Sequence, residues 1–217
     1  MTTVLAVDLG SASGRVLAGT LTDGRLDVTD IHRFKHEARR RQDGTLTWDV
    51  ATMEAETIIG LKKALEQFPD ARSVSIDTWG VDWAPLDENG ELVGDVIAYR
   101  DERTSRTLDA FRERIGDREF FDLTGNQPAT INTANQLFAY LQENPADAQR
   151  VAGVLFLPDY FVYRLTGAVG WSRTIASTSG LLTPGGGDFN DEVFVRLDIP
   201  RGWFGELSAD RTVVGPC

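Results

Sequence analysis

The chain has 217 residues, of which 22 are Lys or Arg and 33 are Asp or Glu, so its formal net charge at pH 7 is −11. Nucleic acids are bound through clustered positive charge, and this acidity therefore argues against a nucleic-acid partner. Apolar residues make up 41% of the chain and charged residues 25%. This composition is typical of a folded globular protein with a sizeable core.

The chain has one cysteine, Cys217, which excludes an internal disulfide and a thiolate cluster for a metal. No apolar run approaches the roughly 20 residues that span a bilayer, and the first residues lack the pattern of a secretory signal. We therefore expect a cytoplasmic protein without a membrane partner.

The first third of the chain predicts three antiparallel strands. Val4–Val7 is an apolar run that ends at Asp8, and small residues follow before Val16–Ala18 resumes the apolar pattern. Asp23-Gly24 predicts a second hairpin turn, after which apolar and polar residues alternate to Ile31.

A long helix is predicted next, with Asp49 as its N-cap and Pro69 beyond its end. The helix face that we expect to be buried carries four large apolar residues, spaced three or four apart: Ile58, Leu61, Leu65 and Phe68. Short strands are predicted at Val74–Asp77 and Val81–Leu86.

Beyond Tyr99 the pattern becomes helical. The expected helices include one with Leu108, Phe111 and Ile115 on one face, and others at Gln136–Glu143, Asp159–Leu165 and Asp191–Leu197. The chain therefore predicts an α/β domain with a mixed sheet that starts with antiparallel strands, followed by a helical insertion.

The turn between Asp8 and Arg15 is the first candidate site. Gly10 and Gly14 let backbone N–H groups approach an anion, Ser11 and Ser13 offer hydroxyl groups, and Arg15 offers positive charge. The oxygens of Asp8 suit Mg²⁺, directly or through water. An ordinary hairpin is the alternative interpretation, and the Walker phosphate-binding pattern is absent from the sequence.

Two further segments suit a sugar. Asp77-Thr78-Trp79-Gly80-Val81-Asp82-Trp83 combines two carboxylates that accept hydrogen bonds from hydroxyl groups with two indole faces and a glycine. Tyr99-Arg100-Asp101-Glu102-Arg103-Thr104 mixes both signs of charge before a helix. The alternatives are that the tryptophans fill the core, that Asp101 caps the helix, and that Arg100 or Arg103 forms exposed ion pairs.

The histidines His32 and His36 lie four residues apart, a spacing that holds a metal on a helix. Because their segment is predicted to be a strand, we interpret them as solvated polar residues.

Six segments in order along the chain share one resemblance: residues 4–15 (VLAVDLGSASGR), 31–34 (IHRF), 46–50 (LTWDV), 75–82 (SIDTWGVD), 98–101 (AYRD) and 157–167 (LPDYFVYRLTG). Together they resemble the FGGY carbohydrate kinase family, and within it the rhamnulokinases. The resemblance extends from about residue 4 to at least residue 205.

This resemblance implies a ribonuclease H-like domain of the actin and hexokinase ATPase type, with about 1–100 as its core and about 100–170 as a helical insertion. It implies ATP and Mg²⁺ as cofactors and a sugar as substrate, with transfer of phosphate to the C1 hydroxyl of L-rhamnulose. The family's pattern places the nucleotide phosphates at Ser11, Ala12, Ser13, Gly14 and Arg15, Mg²⁺ at Asp8 and the sugar at Gly80. As weaker extensions it adds Trp79, Asp82, Tyr99 and Arg100.

Family members continue into a Gly-His-Asp segment, whose Asp is the general base, and a second nucleotide-binding domain. The triplet does not occur in residues 1–217, so we expect an N-terminal half that is inactive alone. The open alternatives are a non-catalytic sugar-binding module, a kinase for another ketose or polyol, and a nuclease with metals at Asp8, Asp77 and Asp82.

Overall fold

A computed structural model of the chain describes residues 1–209 and 212–216. The expectation for Cys217 lies outside the described residues. In chain order the elements are β1 (Thr2–Leu9), β2 (Ser13–Thr22), β3 (Arg25–Lys35), β4 (Ala38–Arg40), β5 (Leu46–Trp48), α1 (Val50–Gln67), β6 (Val74–Thr78), β7 (Trp83–Leu86), β8 (Val96–Ile97), α2 (Arg103–Arg106), α3 (Leu108–Arg114), α4 (Asp117–Thr124), α5 (Thr133–Glu143), α6 (Pro145–Ala148), β9 (Gly153–Phe156), α7 (Leu157–Thr166), β10 (Trp171–Ser172), α8 (Arg173–Ala176), α9 (Asp191–Arg196) and β11 (Leu207–Ser208).

The chain divides into two compact units. The first comprises Met1–Arg39 and Trp48–Trp79, and the second comprises Arg40–Thr47 and the chain from Gly80 onward. The sequence-based division near residue 100 stays a prediction. Among the described residues, no helix has both the length and the apolar character that a membrane crossing requires.

The first unit is built on a four-stranded sheet of order β3-β2-β1-β6. The pairs β1–β2 and β2–β3 are antiparallel and β1–β6 is parallel, so the sheet is mixed as predicted. Asp23 and Gly24 have φ values of 49° and 80°, which is the left-handed geometry of a tight hairpin turn. The three antiparallel strands are therefore confirmed.

Helix α1 begins and ends where the sequence predicts. The carboxylate of Asp49 accepts a hydrogen bond from the amide of Thr52 (3.0 Å), and the helix ends two residues before Pro69. Its buried face agrees only in part with the prediction, since the residues at 58, 61 and 68 are partly buried but Leu65 is 49% exposed. The buried residues are Val50, Met53, Thr57, Gly60 and Ala64.

The physical reason is close packing on β2. A Cβ added to Gly60 would lie 2.4 Å from Cγ2 of Val16, so the helix backbone approaches the strand more closely than large side chains allow. Small residues therefore face the sheet and Leu65 faces away from it.

The second unit contains the antiparallel pair β7–β9 and a large core. Its aromatic rings pack edge to face, as in the pairs Phe111–Phe120 and Phe111–Phe138, at 5.7 Å between centroids in each.

Strand β7 starts two residues later than predicted because Val81 has a left-handed backbone, with φ of 71°. The predicted end of α7 at Gly167 is confirmed, since this glycine has φ of 71°.

Short strands make up the remaining sheets. Strands β4, β5 and β8 form one sheet in the order β4-β5-β8, and β10 pairs with β11 in parallel. The predicted helix near the C-terminal end of the chain is confirmed as α9, in which Asn190 caps the first turn by accepting from the amide of Glu192 (3.1 Å).

Candidate functional site

The hairpin between β1 and β2 presents an exposed tip in the first unit. The amide of Gly10 donates to the carbonyl of Ser13 (2.9 Å), and residues 11–13 are exposed. Gly14 is buried, and a Cβ at this position would lie 2.3 Å from Cζ of Phe34. The hairpin is therefore packed against β3, while its tip is exposed and accessible to an anion.

Two acidic side chains and one basic side chain lie at the base of this hairpin. Arg15 donates from Nε to Oδ2 of Asp8 (2.7 Å), and its Nη2 lies 2.6 Å from the same oxygen. Both side chains are about two-fifths exposed (42% and 41%). Exposed pairs of this kind contribute at most about 1 kcal/mol, so a ligand can separate them.

Asp77 lies beside Asp8. The two residues are register partners in the parallel pair β1–β6, and Asp77 is exposed. Parallel neighbours stand about 4.8 Å apart with their side chains on one face of the sheet. The carboxylate oxygens at the ends of both strands are the ligand type that Mg²⁺ prefers, so the donor set fits this ion.

His36 lies inside an aromatic cluster rather than in solvent, which corrects the sequence-based interpretation. Its ring stacks on Trp79 (centroids 5.8 Å apart), meets Trp48 edge to face (5.9 Å) and is tilted against Phe34 (6.0 Å). Both ring nitrogens are buried. Its amide donates to the carbonyl of Ala12 (3.3 Å), which ties the cluster to the hairpin.

Burial lowers the pKa of His36 below its ordinary value of 6.5, although the backbone of Gly10 and Ser13 opposes this shift. Protonation is therefore easier in the unfolded chain. It follows that the stability which the neutral ring contributes is complete above pH 6.5 and is lost as the pH falls below that value.

We expect this loss of stability below pH 6.5 to disappear in the variant His36→Gln, whose side chain stays neutral. Urea midpoints measured at pH 7.5, 6.5 and 5.5 should fall more steeply with acidity for the unsubstituted chain than for the variant. If the urea midpoints of the two proteins fell equally with decreasing pH, the burial of the ring would be contradicted.

The second unit carries the turn Gly80-Val81-Asp82. A Cβ at Gly80 would lie 3.0 Å from Oγ1 of Thr178, so this side of the glycine faces the protein. Asp82 is fully buried, and its carbonyl accepts from the amide of Leu157 (3.0 Å). A contact between its carboxylate and a sugar would require the turn to open.

The segment that follows β8 has one exposed and one buried part. Arg100 is exposed, and its Nε donates to the hydroxyl of the partly exposed Tyr99 (2.8 Å). Asp101 is buried, and its Oδ1 accepts a hydrogen bond from the amide of Arg103, the first residue of α2 (2.9 Å), while Glu102 occupies the N-cap position. Arg103 itself is 1% exposed, which corrects its interpretation as an exposed ion pair.

The structure thus groups the predicted site residues by unit. The first unit contains Asp8, the hairpin 11–15 and Trp79, and the second contains Gly80, Asp82, Tyr99 and Arg100. Among the described residues, no three His, Cys, Asp or Glu side chains lie close enough to hold a metal together. The nuclease alternative therefore lacks the cluster of three carboxylates that motivated it.

The structure places three residues differently from the sequence-based interpretation, which assigned Asp77 to a sugar or to the nuclease alternative, His36 to solvent, and Arg103 to a polyol or an exposed ion pair. Asp77 had a usable signal, since two short apolar strands each end in Asp and parallel strands place such ends together. His36 and Arg103 had none, because a polar residue after a strand and a charged residue at a helix start are both typical of the surface.

The model of the FGGY family of carbohydrate kinases, N-terminal domain, matches residues 3–217. The chain belongs to the FGGY family of carbohydrate kinases.

This chain is 37% identical over 206 residues to a rhamnulokinase from Mannheimia succiniciproducens. The match covers 94% of this chain and 42% of that protein. The chain thus spans less than half the length of this relative.

Solved structures of xylulose and glycerol kinases share its fold. A xylulose kinase from Lactobacillus acidophilus superimposes with a TM-score of 0.86 at 14% identity, covering 100% of this chain and 44% of that one. A xylulose kinase from Rhodospirillum rubrum gives a TM-score of 0.85 at 19% identity, with coverages of 98% and 44%. Plasmodium falciparum glycerol kinase with ADP gives 0.81 at 15% identity, with coverages of 99% and 44%. The predicted actin and hexokinase type of ATPase fold is confirmed.

Proposed function

We propose that the kinase to which this chain belongs transfers the γ-phosphoryl group of ATP to a hydroxyl group of a ketose, and that the ketose is L-rhamnulose, phosphorylated at C1. The observation that carries the proposal is the exposed hairpin tip at residues 11–13, with two carboxylates beside its base. The 37% identity to a rhamnulokinase supports the choice of sugar. A cytoplasmic location is part of the same proposal.

In this proposal the hairpin binds the nucleotide. The small side chains of Ser11, Ala12 and Ser13 leave the backbone open to phosphate oxygens, and Gly14 keeps the tip close to β3. Arg15 leaves its pair with Asp8 to contact a phosphate, which frees the Asp8 carboxylate for Mg²⁺. Bound Mg²⁺ supplies charge neutralisation at the phosphates.

The sugar contacts are proposed at Gly80, Trp79, Tyr99 and Arg100, with Asp82 in the supporting turn. The guanidinium of Arg100 and the hydroxyl of Tyr99 are hydrogen-bonding groups that suit a polyol. The Gly-His-Asp segment that the resemblance assigns to the general base does not occur in residues 1–217. We therefore propose that this chain by itself binds ligands with little or no turnover.

Titration calorimetry of the chain with Mg·ADP, with ADP in EDTA and with L-rhamnulose tests the proposal. Removal of the metal ligand in Asp8→Ala should weaken Mg·ADP binding at least about tenfold, equivalent to about 1.4 kcal/mol. Binding of metal-free ADP should be unchanged or stronger, because the variant releases Arg15.

Asp30→Ala is the matched control, since Asp30 also pairs with an exposed arginine of this sheet, Arg33 (2.6 Å). Its binding should equal that of the unsubstituted chain. Equal losses with and without Mg²⁺ in Asp8→Ala would contradict the metal assignment. If L-rhamnulose binds with the same affinity in the presence and absence of nucleotide, and Mg·ADP does not bind, the chain is a sugar-binding module instead.

A further inference from the structure

A buried arginine connects the two segments of the second unit to which we assign sugar contacts. Arg103 donates from Nη1 to the carbonyl of Ala98 (3.1 Å), directly before Tyr99. It donates from Nη2 to Oε1 of Gln136 (2.7 Å), which lies on α5. Its side chain is only 2% exposed, so it contacts no dissolved ligand itself.

Gln136 continues this connection to the turn at Val81. Its Nε2 donates to the carbonyls of Val81 (3.0 Å) and Ile131 (2.9 Å), and the residue is completely buried. Only an oxygen can face the guanidinium and only the amide nitrogen can face two carbonyls. The orientation of Gln136 is therefore fixed by its partners.

Val81 needs such support because its backbone is strained. A φ of 71° is unfavourable for a β-branched residue and persists only where the surroundings enforce it. Besides Gln136, the hydroxyl of Thr133 donates to the Val81 carbonyl (2.7 Å), and Oγ1 of Thr178 accepts from its amide (3.3 Å). These contacts determine the positions of Gly80 and Asp82.

Asp101 is the acidic neighbour of the guanidinium. It accepts from the Arg103 amide through Oδ1 (2.9 Å) and from the Leu46 amide through Oδ2 (2.8 Å), and Nη1 of Arg103 lies 3.8 Å from Oδ1. Burial lowers the pKa of Arg103 to about 10, and the negative charges of Asp101 and Asp82 oppose that shift. The side chain thus keeps its charge at neutral pH.

We propose that Arg103 is a positioning residue for sugar binding: through Gln136 it holds the strained turn Gly80-Val81-Asp82, and through Ala98 it holds Tyr99 and Arg100. This inference rests on the proposed function for the identity of the ligand. The link between the two segments rests on the hydrogen bonds alone.

Two substitutions break the link at different points. Arg103→Met removes both connections. Gln136→Glu keeps an acceptor for Arg103 but has no amide hydrogens for the carbonyl of Val81, so it releases the turn while α2 and α5 stay joined. Arg106→Met is the matched control, because Arg106 lies on the same helix and pairs with Glu143 of α5 (2.6 Å) at the surface.

Hydrogen exchange of the ligand-free chain is the first measurement. We expect amide exchange in residues 80–83 to be at least tenfold faster in Arg103→Met and Gln136→Glu, and within twofold of the unsubstituted rate in Arg106→Met. Residues 2–22 of the first unit should exchange at unchanged rates in all three variants, which excludes general unfolding.

Calorimetry with L-rhamnulose and with Mg·ADP is the second measurement. Arg103→Met and Gln136→Glu should bind the sugar at least tenfold more weakly and Mg·ADP with unchanged affinity. Unchanged exchange at residues 80–83, or sugar binding equal to that of the Arg106→Met control, would overturn the positioning role. Absence of sugar binding by the unsubstituted chain would instead contradict the proposed function, while exchange still decides whether Arg103 holds the turn.

Discussion

Replacement of Gly60 by valine should destabilise the chain by about 3 kcal/mol or more. A Cβ at this position would lie 2.4 Å from Cγ2 and 2.9 Å from Cβ of Val16, and 3.1 Å from Cβ of His32. Val16 is fully buried and, as a β-branched residue, has little rotamer freedom. Helix α1 can accept the larger side chain only by moving away from β2.

Urea unfolding followed by circular dichroism measures this effect. Ala55→Val is the matched control, because it places the same residue on the exposed face of α1 and should cost less than about 1 kcal/mol. Gly60→Ala is the sharper variant: helix propensity alone predicts a gain of about 1 kcal/mol, whereas the contact with Val16 predicts a loss. A gain in stability would show that α1 does not pack this closely.

Replacement of Asp159 by asparagine should stabilise the chain at pH 8 by about 2–4 kcal/mol. Burial raises the pKa of Asp159 to about 7, and the hydrogen bond that its Oδ2 accepts from the amide of Ser172 (3.1 Å) only partly opposes the shift. Above pH 7 the folded chain therefore contains a buried negative charge. The amide oxygen of asparagine can accept the same hydrogen bond without the charge.

The sign of the pH dependence follows from the direction of the shift. The folded state binds the Asp159 proton more tightly than the unfolded state, so stability is lost as the pH rises towards 7. The advantage of Asp159→Asn should thus shrink by up to about 1.4 kcal/mol per pH unit between pH 7 and pH 4.

Urea unfolding at pH 8, 6.5 and 5 tests this expectation. The exposed substitution Asp109→Asn should change stability at pH 8 by no more than about 0.5 kcal/mol. A constant difference between Asp159→Asn and the unsubstituted chain at all three values would contradict the burial of the carboxylate.

Local features of the fold were predictable because neighbouring residues determine them. Asp23-Gly24 adopts a left-handed turn almost regardless of context, and Asp49 and Pro69 limit α1 through their own backbone chemistry. The hairpin from Asp8 to Arg15 belongs to the same class, since its strands pair residue by residue.

The buried face of α1 was not predictable in this way. Large apolar residues at 58, 61, 65 and 68 indicate one face, but three of them are only partly buried and the one at 65 is exposed, while Thr57, Gly60 and Ala64 are fully buried. The spacing of apolar residues indicates which side chains can be buried. The distance between the helix and the sheet decides which of these side chains fit between them.

The sequence by itself determined the family, the order of the first strands and the hairpin from Asp8 to Arg15, because these depend on short runs of residues. Only the tertiary structure decided that Asp77 stands beside Asp8, that His36 lies among aromatic rings and that Arg103 joins Ala98 to Gln136. The physical reason is that these contacts join residues between 5 and 69 positions apart, as in the pair Asp8 and Asp77. Pairings across the chain depend on which strands and helices become neighbours, and composition and spacing do not specify that choice.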